Sequence, residues 1–136
     1  MKYAVYDVNG SELFRKEDES IIGGRTTVKF DLATNRTYTI YFWAQADGAP
    51  YTFNGNSIEV DYTNAECNDE DRDGFYGVIK NDEVRGAATV NVELKRPFAQ
   101  VNVGASDFAE AAQSGLVPST SALVVKNVFT TLNLFD

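Results

Sequence analysis

The chain contains no histidine. That absence removes Ser-His-Asp and Cys-His catalysis from within this chain, together with zinc sites built on imidazole. Cysteine is almost missing as well. Cys67 stands alone, so no intramolecular disulfide can form, and its nearest charged neighbours are acidic. Carboxylates raise a thiol pKa instead of activating the sulfur, so Cys67 reads as an inert structural or loop residue. It also lies too far inside the chain to be the lipidated cysteine that follows a bacterial lipoprotein signal. Positive charge is scarce: 12 Lys and Arg face 20 Asp and Glu, for a net charge of −8 and a pI near 4.5. Such a balance argues against nucleic acid, which needs clustered cations, and against docking on an anionic membrane. No apolar run approaches the roughly 18 residues of a membrane helix, so no transmembrane segment is expected. Phosphate-cradling glycine loops are absent too: neither Rossmann nor P-loop spacing occurs, and no cofactor is expected.

What is present suits a β protein. With 136 residues, 43% hydrophobic and 12% aromatic, the chain is long enough for one domain with its own core. Tyr3 to Val8 alternates like a strand, without a signal-peptide core, and runs into Asn9-Gly10, a hairpin signal repeated at Asn54-Gly55. Alternation returns with Val28, Phe30 and Leu32. It continues with Tyr38, Ile40, Phe42 and Ala44 after a turn at Asn35-Arg36, then with Ile58, Val60 and Tyr62. Asn35-Arg36-Thr37 is formally a glycosylation sequon, of a kind that arises by chance. Phe75 to Ile79 fits either a short strand or a helical turn. Asp107 to Ser114 reads as the one helix, capped by Ser106 or Asp107 and stopped at Gly115. A final strand is expected over Ala122 to Leu134. The sum is seven or eight strands and one short helix, an all-β, antiparallel Greek-key sandwich.

The stretch from Ala88 to Val103 carries a change of phase. Ala88, Val90, Val92 and Leu94 occupy even positions, whereas Ala99, Val101 and Val103 occupy odd ones. Side chains alternate faces with a period of two, so the slip swaps the buried face. Proline cannot donate to a ladder, and a strand path that kinks at Arg96–Pro97 and changes sheets is the economical reading.

Few constellations point to chemistry. Asp69-Glu70-Asp71-Arg72-Asp73-Gly74 has the Asp-x-Asp-x-Asp-Gly spacing that opens an EF-type calcium loop. The twelfth position, where a bidentate Glu belongs, is Lys80, and Arg72 neutralises part of the cluster. A solvated acidic loop is the plain reading; calcium held by Asp69, Asp71 and Asp73 is the other. Trp43 and Tyr41 share the face opposite Tyr38, Ile40 and Phe42, and a strand with large groups on both faces is usually covered on both. A loop or the Asp107–Ser114 helix would supply that cover; the alternative is an exposed platform of Tyr41 and Trp43 for a sugar or protein partner. Nothing selects a pair of carboxylates for glycoside hydrolysis.

Leu94 to Gln100, followed by Asn102, Gly104, Ser106 and Asp107, resembles the signature segment of the fimbrillin-like (type V pilin-like) surface proteins of the Bacteroidales. Tyr38 to Gln45 resembles the aromatic strand of that family. Asn68-Asp69 with Arg72-Asp73 and Phe75-Tyr76 resembles its acidic turn, and Asn127 with Thr130-Thr131 and Asn133 its closing strand. The resemblance implies a transthyretin-like or immunoglobulin-like sandwich, exported as a lipoprotein and displayed on the outer membrane or in fimbriae. It implies a non-enzymatic structural subunit whose partners are other fimbrial or surface subunits, joined by β-strand addition, with a host protein or glycan as a further partner. The family's signal, lipidated cysteine, apolar first strand, second domain and donor strand have no counterpart here. Residues 1–136 are therefore expected to be one N-terminal domain, either a fragment of a longer protein or a truncated gene product, with the export signal outside this sequence. A carbohydrate- or protein-binding module of a surface lipoprotein is the alternative function.

Overall fold

The computed structural model describes residues 1–17, 20–63, 72–99, 101–104, 106–116 and 122–135. The chain divides into two compact units, Met1–Phe98 with Thr130–Asp136, and Ala99–Phe129.

The first unit is an antiparallel sandwich. Strand β1 (Lys2–Asp7) folds back on β2 (Glu12–Lys16) through the expected Asn9-Gly10 turn. The Asp7 carboxylate braces that turn by accepting the backbone N–H of Asn9 at 2.9 Å and of Ser11 at 2.8 Å. On its other side β1 pairs with β3 (Arg36–Gln45), and β3 with β6 (Gly74–Val84), giving the order β2-β1-β3-β6. The second sheet has the order β4-β5-β7, from Tyr51–Phe53, Ser57–Val60 and Thr131–Asn133. Strand β6 resolves the ambiguity at Phe75 to Ile79. With eleven residues it is longer than β3, which has ten.

Alternation along β3 builds two cores. Tyr41 and Trp43, with Ala4 and Tyr6, face Phe53, Ile58 and Val60 of the second sheet and Leu134 just after β7. Tyr38, Ile40 and Phe42, with Tyr3 and Val5, face the other way. That outer face is covered by Val28, Phe30 and Leu32 and by Val92 and Leu94, with Phe30 stacked on Tyr3 at 5.4 Å. The expected strand at Val28 to Leu32 thus has its faces right but forms no ladder. Its side chains point down at a sheet face, so its backbone lies in a layer where no strand is available to pair.

A polar clip joins the two sheets. Arg15 reaches from β2 to donate to the Phe53 carbonyl at 3.0 Å, with its guanidinium 5.8 Å from the centre of the Phe53 ring. Glu12 holds that guanidinium through contacts of 2.9 and 3.2 Å, and accepts the Tyr6 hydroxyl at 2.7 Å. The fork of Arg15 keeps the Glu12 carboxyl below its ordinary range. Burial, reinforced by the bond to Glu12, pushes the Tyr6 phenol up to about 12.

In the second unit, α1 (Phe108–Gln113) lies within the expected Asp107–Ser114 span. Asp107 stands at the N-cap without a side-chain cap bond. At the other end, Gly115 N–H bonds to the Ala112 carbonyl and Leu116 N–H to that of Ala111, a Schellman ending. Two expected strands fail. Val101 and Val103 are exposed instead of buried, and of Ala122 to Leu134 only Thr131–Asn133 forms a strand.

A depressed Glu12 pKa means that the clip stabilises the fold above the unfolded-state glutamate value and loses that effect as pH falls through the folded one. Glu12→Gln should lower stability at pH 7 by about 1 kcal/mol and flatten the decline below pH 4.5. Urea unfolding from pH 3 to 7, compared with the parent chain, reads both effects.

Candidate functional site

The site is the outer edge of β6. Its first residue is Gly74, and a side chain has no room there, since a Cβ would lie 2.5 Å from Cζ2 of Trp43. Two residues on, Tyr76 turns both backbone groups outward: its N–H donates to the Lys95 carbonyl at 2.9 Å, and its carbonyl accepts the Lys95 N–H at 2.8 Å. The chain then leaves the edge in both directions. Towards its N-terminus it climbs onto the outer face, where Val92 and Leu94 lie over Gly77 so closely that a Cβ would be 2.7 Å from each. Towards its C-terminus, Arg96–Pro97 carries it round the edge and Phe98 enters the core between the sheets. There Phe98 stacks on Tyr51 at 5.5 Å and meets Trp43 edge-on at 6.4 Å.

The phase change at Pro97 is therefore a crossing from one face of the first sheet to the other. Among the described residues, the expected strand from Ala88 to Val103 is reduced to the single bridge at Lys95. The reason is steric: a chain wrapping an edge is in the plane of the sheet only at the crossing point.

That path leaves β6 open beside Lys95. Strand alternation turns the backbone groups of Val78 the same way as those of Tyr76. Among the described residues no further backbone bond joins β6 to the crossing segment. A groove of about 420 Å³ runs here, with Val78, Ile79 and Lys80 on one wall and Asn91, Val92 and Glu93 on the other. The Lys80 ammonium donates to the Phe135 carbonyl. Unpaired strand edges of this kind are templates for another strand.

The residues singled out from sequence lie elsewhere. Trp43 and Tyr41 are 0% and 7% exposed, so they form no platform. Their cover is the second sheet together with two residues outside any strand, Phe98 against Trp43 and Phe135 against Tyr41, and not the helix. The Trp43 indole N–H donates to Gln45 at 2.7 Å, and burial raises the Tyr41 phenol pKa. Asp73 pairs with Arg96 at 2.5 Å, and the guanidinium of Arg96 sits 5.5 Å from the Phe75 ring centre. Asp69 and Asp71, like Cys67, lie outside the described residues. Among the described residues no cluster of three acids or thiols is placed to hold a metal. Val78 and Lys95 were not anticipated. Their only sequence signal is Lys95-Arg96-Pro97 breaking an apolar alternation, which is how edges are commonly marked.

Over residues 1–136 the chain matches a protein family of unknown function (DUF6562), and it belongs to that family. No curated protein and no solved structure matches it.

Burial of Trp43 has a direct consequence. Trp43→Ala should cost about 3–5 kcal/mol of stability, as truncation of a core aromatic does. Denaturant unfolding followed by circular dichroism reads the loss; a variant as stable as the parent would return the indole to the surface.

Proposed function

We propose that this chain is a non-enzymatic surface or fimbrial subunit that works through strand-mediated assembly or adhesion. The observation that carries the proposal is the open outer edge of β6 at Val78, beside a groove of about 420 Å³. Adding a strand there would supply main-chain hydrogen bonds for affinity, with alternate side chains set into the groove for selectivity. The resemblance of Leu94–Gln100 and Tyr38–Gln45 to fimbrillin-like segments supports the same reading, since Lys95 of the first bridges to this edge at Tyr76 and the second forms the strand behind it. Its partners are other surface subunits that offer an extended segment. The burial of Tyr41 and Trp43 weighs against the alternative of an aromatic sugar-binding face.

Size exclusion coupled to light scattering, run over a range of concentrations, tests this. Concentration-dependent association above the 15.0 kDa monomer is expected, with slowed hydrogen exchange at the Val78 amide in the associated form. A monomer at every concentration, with Val78 exchanging rapidly even when extended peptides are added, would overturn the proposal.

A further inference from the structure

The unit Ala99–Phe129 has no buried residue among those described. Leu123, Val124 and Val125 are 59%, 74% and 69% exposed, in a run that would form a strand wherever it found a partner. So little burial does not offset the entropy of ordering a chain, so the run is a candidate for folding on contact. Its charge is also unusual for this protein. From Ala111 to Phe135 there is no acid, and Lys126 is the single charged residue, in a chain of net charge −8. Asn127, at φ 59°, turns the chain between this run and Thr130, whose carbonyl is fixed to the Val60 N–H at 2.8 Å. Ala122–Lys126 is thus a five-residue arm of strand-forming composition with one end anchored in the second sheet.

The open edge matches it. The open stretch of β6 at Val78 to Lys80 is three residues long, enough to pair with part of the arm, and the groove carries Glu93 on its opposite wall. Two molecules of charge −8 repel, so the contact between copies is best made by the acid-free segment, with Lys126 offered to Glu93. We propose that Ala122–Lys126 of one copy adds as a strand to the outer edge of β6 in a second copy, and reciprocally, giving a closed two-fold dimer. Each copy carries both halves of the contact, as an isologous interface requires. The inference rests on the open-edge reading and names its occupant.

The test compares the full chain with Val125→Asp and with Val101→Asp, which adds the same charge at another exposed valine of the same unit. Sedimentation velocity gives the dimer constant, and hydrogen exchange reports the Val78 amide. Val125→Asp should weaken the dimer at least about tenfold and release Val78, while Val101→Asp behaves as the parent. Equal weakening by both variants would mean general charge repulsion and overturn the inference. A dimer unaffected by Val125→Asp would mean another segment or surface holds the copies; the arm would be wrongly assigned while the open-edge reading survived. Protection of Val78 in a monomer, lost in Val125→Asp, would mean the arm closes the edge of its own copy. A monomer with an unprotected Val78 in all three chains, even with extended peptides added, would remove the arm and the open-edge reading together.

Discussion

Everything in the first unit follows from β3 carrying large apolar rings on both faces. Tyr38, Ile40 and Phe42 point one way, and Tyr41 and Trp43 the other. A sheet built on such a strand must be covered twice, because leaving either row in water forfeits roughly 1.5–3 kcal/mol for each large side chain. One cover is the second sheet. The other is improvised from Val28, Phe30 and Leu32 together with Val92 and Leu94, which offer side chains without a ladder. The open edge is a by-product of that improvisation. Had Val92 to Leu94 stayed in the plane of the sheet they would have paired with β6, but the outer core would have lost part of its lid.

Holding the second sheet against the first calls for more than apolar contact, since apolar contact is indifferent to small slides. The Tyr6–Glu12–Arg15 chain ends on a backbone carbonyl of Phe53, so it specifies a position and not merely an area. Each member limits the others. Glu12 takes the Tyr6 hydroxyl and one fork of Arg15, which leaves the third guanidinium nitrogen for Phe53. Gly74 performs the corresponding task at the opposite end of the sheet, where Trp43 and Tyr51 close over a position that has no room for a side chain.

Alternation made the faces legible, and it made them legible even where no strand formed. Val28, Phe30 and Leu32 face one core as a strand would have placed them, because burial selects the side-chain period whether or not the backbone is paired. Pairing itself was not legible. Whether Val92 lies in a ladder or over a face depends on where Gly77 leaves space, and that space belongs to the tertiary structure. The Asn9-Gly10 turn was readable because its determinants are local: Gly10 takes φ +79°, and Asp7 braces the loop. Tyr41 and Trp43 could be assigned to a shared face from sequence, but their burial depended on Phe53, Ile58 and Leu134 arriving from distant segments. The edge at Val78 was invisible for the same reason: an unpaired backbone is defined by what is not beside it.

The sandwich treats its two outer edges in the first sheet unequally, and the difference bears on use. At β2 the edge is dressed with Glu12, Arg15 and Lys16, and the register slips between Val5 and Tyr6, two devices that discourage an incoming strand. At β6 the same protection is concentrated at Lys95-Arg96-Pro97 and ends there. Beyond it the strand presents Val78 beside a groove, followed by an irregularity opposite Thr39, where Asn81 takes φ 49°. On the proposed reading, an edge closed at one point and bounded by a bulge at the other would accept only a short partner of limited register. Uncontrolled aggregation wants long, flat edges; selective addition wants a short one with defined ends, and β6 has the second form.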